Sequence, residues 1–101
     1  MFEMANLRPS STGLSVTIYV SAKGQSRHSA RIKVSSLRGD KLKSDAMFVV
    51  TVNSNPRILG DTGNLTNEDL KNVLTFVIDN QDALQAFWDE EIDTKELLTL
   101  L

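Results

Sequence analysis

The sequence predicts an α+β protein: an antiparallel sheet of three to four strands, followed by two to three C-terminal helices packed on one face. Three observations carry this reading. Apolar and polar residues alternate with period two only in the first half of the chain. Beyond residue 65 the apolar residues recur instead at spacings of three and four. The two clearest helix-start signals, Thr66 with Asp69 and Asp93 with Glu96, also lie in the second half. At 101 residues the chain is sized for a single domain. Residues 1–10 are expected to be a loose lead-in to it.

The strands come first. In GLSVTIYVSA, residues 13–22, Leu14, Val16, Ile18, Val20 and Ala22 point one way, and Ser15, Thr17, Tyr19 and Ser21 the other. The polar KGQSR connects it to HSARIKVSS, residues 28–36. There Ala30, Ile32 and Val34 face the core, and Arg31 and Lys33 face out. LRGDKLKSD, residues 37–45, reads as a connection with a Gly-Asp turn. AMFVVTVNS, residues 46–54, is a third strand, apolar on both faces, which suits a central position or an interface. After the NSNP turn, RIL at 57–59 is a short fourth strand.

The helices follow. Thr66 and Asp69 form a capping box, with Leu65 and Leu70 as the hydrophobic staple. Leu70, Val73, Leu74, Val77 and Ile78 form the apolar stripe of this helix, widened by Phe76. A second helix starts near Gln81, with Leu84, Phe87 and Trp88 inward, unless one bent helix continues through DNQD. Asp93 and Glu96 open a third, short helix, stapled by Ile92 and Leu97.

Composition excludes several classes. Without cysteine there are no disulfides and no thiolate metal sites. The longest apolar run, MFVV, is strand-sized, so no transmembrane helix and no membrane partner are expected. The N-terminal residues lack a secretory pattern, and a cytoplasmic protein is expected. No cofactor motif occurs. DTGNLTNED, residues 61–69, has Gly63 where a calcium loop needs a ligand, and its Asp and Asn residues suit turns and caps; no metal site is expected.

Charge is the most informative feature. Residues 1–60 carry nine basic and three acidic side chains, +6, and residues 61–101 carry two basic and ten acidic, −8. Arg27, His28, Arg31, Lys33, Arg38, Lys41 and Lys43 concentrate the positive charge and form the candidate partner- or nucleic-acid-binding set. Such a row can track phosphates, but Tyr19 is the one nearby aromatic for stacking a base. Lys and Arg also guard edge strands against aggregation, and the row also suits an acidic protein surface, that of a second copy included. His28 beside Arg27 has the makings of a phosphodiester base. It is the single histidine, with no second to act as the paired acid, and no catalytic residue is assigned.

RHSARIKVSS, residues 27–36, and RILGDTGNLTNEDLKNVLTFVIDNQDALQAFWDEEI, residues 57–92, together resemble a small bacterial family of uncharacterised α+β proteins. Its genes often sit in toxin–antitoxin-like pairs. Family members carry a P-x-H-x-H stretch at the strand start, where this chain has only His28, and a tryptophan where it has Phe76. The resemblance implies an accessory or regulatory role and no chemistry. The expectation is therefore a small non-enzymatic interaction or regulatory protein, in a toxin–antitoxin-like or phage-defence-related system, with a protein partner. The alternative is an RNA-binding module or ribonuclease-type toxin on the basic strand face. A homodimer is compatible with either.

Overall fold

The computed structural model describes residues 4–23, 29–39 and 46–101. Among them the elements run β1 (Met4–Leu7), α1 (Pro9–Thr12), β2 (Val16–Ser21), β3 (Arg31–Arg38), β4 (Met47–Thr51), β5 (Ile58–Leu59), α2 (Asn67–Asp79), α3 (Gln81–Trp88) and α4 (Thr94–Leu100). The strands form one antiparallel meander in sequence order, β1-β2-β3-β4-β5. The α+β class with C-terminal helices on one sheet face is as expected. The strand number is not: the sheet has five strands rather than three to four.

The additional strand is β1, so residues 1–10 are not wholly a loose lead-in. Met4–Leu7 pairs with β2 in the register Ala5↔Val20 and Leu7↔Ile18, and both Ala5 and Leu7 are buried. Four residues offer only two inward positions, too few to display a period. Pro9 then starts α1, where its fixed φ suits the first helical turn. Gly13, at φ 79°, ends that turn and donates its N–H to the Pro9 carbonyl.

The alternation of β2, β3 and β4 has one physical meaning. Val16, Ile18, Val20, Ile32, Val34, Phe48 and Val50 are all buried on the same face, where the helices pack. β3 runs two residues past the expected strand end, through Leu37 and Arg38. Its pairing with β2 shifts between Ile18↔Val34 and Val16↔Arg38, so extra β3 residues bulge opposite Thr17.

The helices cover the apolar face. α2 starts at the expected capping box: Thr66 Oγ1 accepts from the Asp69 N–H (3.1 Å), and Asp69 Oδ2 accepts from the Thr66 N–H (3.1 Å). Its inward face is Asp69, Val73, Phe76 and Val77, whereas Ile78, expected inside, is 49% exposed. Ile78 lies nine residues beyond Asp69, roughly 180° around the helix at about 100° per residue, so a buried Asp69 turns Ile78 outward. The bent-helix alternative does not hold. Asn80 ends α2, its backbone N–H and its Nδ2 both donating to the Phe76 carbonyl (3.0 and 2.9 Å), and α3 begins at Gln81. α4 starts at Asp93, again with a capping box to Glu96, and drops Leu97 into the core.

Leu84, Phe87 and Trp88 of α3 sit in the same core as Phe48. The Lys23 N–H donates to the Trp88 carbonyl (2.8 Å), tying the end of β2 to the end of α3. Replacing Trp88 with Ala should destabilise the fold by about 3–5 kcal/mol. Replacing Leu7 with Ala should cost about 2–5 kcal/mol, because β1 closes the core. Urea unfolding of both variants checks this. A Leu7→Ala midpoint equal to that of the wild type would mean that β1 is not integral to the sheet.

Candidate functional site

The strands alternate, so the face away from the helices is built from the other residue set, although Thr17 and Ser35 of that set are buried near the bulge. The pairings Asn6↔Tyr19, Tyr19↔Lys33, Lys33↔Val49 and Val49↔Leu59 place one residue from each strand in a single row across the sheet. Four inter-strand steps make this row roughly 19 Å long. Beside it lie Ser21, Arg31 and Thr51 on one flank, and Ser35 and Met47 on the other. No described helix covers this face; the buried apolar side chains of the sheet belong to its other side.

The row is mixed in character. Lys33 is exposed, Tyr19 and Val49 are half-buried, and Leu59 is 47% exposed. Met47 and Leu37 add further half-buried apolar surface. Apolar area with a cation at its centre and no described helix above it makes this face a candidate docking surface. Arg31 adds a second feature. Its side chain lies partly buried on this face, and its Nε–H is buried with no hydrogen-bond acceptor among the described residues. A buried unsatisfied donor destabilises the free protein, and an incoming acceptor relieves it.

The basic set named from sequence is not one surface. Arg31 and Lys33 share the open face. Arg38 does not join them: paired with Val16, it lies on the helix side of the sheet, where its guanidinium grips Asp69. Nη2 donates to Oδ1 (2.8 Å) and Oδ2 (2.9 Å), and Nε donates to Oδ2 (3.2 Å). This bidentate grip ties β3 to α2, although the Arg38 side chain itself stays 63% exposed. Arg27, His28, Lys41 and Lys43 lie outside the described residues. The apolar half of the surface, Val49, Leu59, Met47 and Leu37, was not named from sequence. Its signal was the two-faced apolarity of residues 46–54, but the row itself emerges only from register.

Asp69 also accepts from the Ser15 hydroxyl (2.8 Å), so one buried carboxylate joins the entry of β2, the end of β3 and the start of α2. The Arg38 hydrogen bonds, then the Thr66 N–H and the Ser15 hydroxyl, hold the Asp69 carboxyl well below the usual carboxylate range. Among the described residues no three His, Cys, Asp or Glu side chains are grouped to hold a metal ion, and no helix is long and apolar enough to cross a membrane.

No match to this chain is found among protein-family models, curated proteins or solved structures. The functional reading therefore stands on the geometry and on the sequence.

The depressed Asp69 value has a consequence for pH. A carboxylate with a lowered folded-state pKa stabilises the fold fully above its unfolded value, about 4, and loses that contribution as pH falls toward the folded value. Asp69→Asn should therefore be less stable than the wild type at neutral pH. Its stability should also fall less steeply than the wild type's between about pH 4 and about pH 2. Denaturant midpoints measured across that range check this. Parallel curves for the two proteins would show that the Asp69 charge does not hold α2 to the sheet.

Proposed function

We propose that this chain is a non-enzymatic cytoplasmic interaction protein whose open sheet face docks an acidic protein partner. The observation that carries the reading is the five-strand row Asn6, Tyr19, Lys33, Val49 and Leu59, bare of the described helices and flanked by Arg31. Apolar side chains supply the contact area, and Lys33 supplies orientation. A carboxylate reaching Arg31 would provide the acceptor that its buried Nε–H lacks. The resemblance to proteins from toxin–antitoxin-like gene pairs makes the product of an adjacent gene the first partner to test.

An RNA-binding module on the same face is the second reading, favoured by Tyr19 standing beside Lys33 on an open antiparallel sheet. Sheet-face readers of RNA stack two or three bases on as many aromatics. This row has one aromatic and two aliphatic residues, which weighs toward protein.

The test is the double variant Lys33→Glu with Leu59→Glu, both at exposed positions. It should unfold close to the wild-type midpoint and lose the complex with the adjacent gene product in an association-rate measurement. Retention of that complex at the wild-type rate would overturn the docking reading. So would tight binding of a single-stranded RNA oligonucleotide that needs Lys33 and weakens by about 10³-fold or more between ~50 mM and ~200 mM salt.

A further inference from the structure

The helical layer carries a second unfilled surface, at the corner where α2 gives way to α3. Ile78 and Leu100 are its apolar residues, exposed to 49% and 59%. They line one cleft together with Asp79, Asp82, Ala83 and Ala86. Apolar and acidic side chains thus line the same cleft, with Asn80 and Gln81 beside them. The open sheet face has the same construction with the opposite sign: Leu59 and Val49 for contact, Lys33 and Arg31 for charge.

We infer that the cleft between α2, α3 and α4 docks the open sheet face of a second copy of this chain. The inference rests on the reading of that sheet face as a docking surface, and it names one occupant. Charge complementarity supports it: every described acidic side chain falls at Asp61 or later, while the open face presents Lys33 and Arg31. Apolar complementarity supports it as well, since Ile78 and Leu100 meet Val49 and Leu59, all of which the single chain leaves at least partly exposed. The cleft and the sheet face are different patches of one molecule, so the contact is heterologous. Each copy that docks leaves one cleft and one sheet face free. Association then runs head to tail instead of stopping at a two-fold dimer.

The connectivity gives a test that a nonspecific apolar patch does not pass. Sedimentation of the wild type should show an average mass that rises with concentration past that of a dimer. It should return toward the monomer as salt goes from ~50 mM to ~500 mM, because the rim charges are then screened. Lys33→Glu with Leu59→Glu removes the sheet face, and Ile78→Glu with Leu100→Glu removes the cleft. Each double variant alone should be monomeric. Mixed in equal amounts they should form a 1:1 dimer and nothing larger, since each supplies the surface the other lacks. Two monomeric variants that stay monomeric when mixed would overturn the inference, as would a wild type that stays monomeric up to ~1 mM. A wild type that stops at a dimer would overturn it too. The two readings can fail separately or together. If the cleft variant still binds the adjacent gene product while the sheet variant does not, the sheet face is a docking surface and only its self-docking is wrong. If the sheet variant binds that product and also assembles like the wild type, both readings fall.

Discussion

The Asp69 carboxylate fixes how the helical layer meets the sheet. It accepts from Arg38 at the end of β3, from Ser15 at the entry to β2 and from the backbone of Thr66 at the start of α2. These acceptances set more than the position of a helix end. Because Asp69 must face the sheet, the rotation of α2 about its own axis is determined, and Val73, Phe76 and Val77 follow it inward. Leu70 and Leu74 move to the margin of the core, and Ile78 moves out of it. The position of α2 then sets that of α3, through the double cap of Asn80 on the Phe76 carbonyl. Apolar burial supplies most of the driving force for the fold, but burial is non-directional, and it would tolerate α2 rolled by a fraction of a turn. The directional interaction chooses among those rotations.

A sheet covered on one side leaves the other side to be accounted for. Purely solvated sheet faces are polar at every outward position. This one is polar at Asn6, Ser21 and Thr51 but apolar at Val49 and Leu59, with Met47 and Leu37 half-buried beside them. Its edges are protected: β5 is only two residues long and β1 only four. Strand addition is therefore limited at either end.

Much of this was legible in the sequence, and the reasons for the misses are specific. The period of Val16–Ser21 and its neighbours and the two capping boxes depend on residues a few positions apart, so they can be read directly. β1 was missed because Met4–Leu7 has two inward positions and its pairing partner is the strand after the next turn. The role of Arg38 was hidden because its partner Asp69 is 31 residues away. Charge clustering along the chain made Arg38 look like a neighbour of Lys33, whereas residue parity in β3 sends the two to opposite faces. Ile78 was misplaced because a stripe of Leu70, Val73, Leu74, Val77 and Ile78 is a good apolar face taken alone. Only the tertiary tie on Asp69 shows that the buried face is centred on a different side of the helix.

The charge asymmetry acquires its meaning from the same tie. Among the described residues, the ion pairs that join the two halves are of unequal quality. Arg38 closes to 2.8 Å on the buried carboxylate of Asp69, whereas Lys23 and Asp89 approach only to 3.9 Å with both side chains partly exposed. Pairs of the latter kind contribute about 0–1 kcal/mol. Once Asp69 has claimed Arg38, the open face is left with Lys33 and Arg31, pointing away from the helical layer where most of the chain's acids lie. The fold ties Arg38 to Asp69 and leaves Lys33 and Arg31 on a face that no described helix covers. Segregation of this kind does little for folding, but it sets up a field that orients an approaching surface before contact is made. Strand parity thus separates Arg38, which ties β3 to α2, from Arg31 and Lys33 on the opposite face of the same strand.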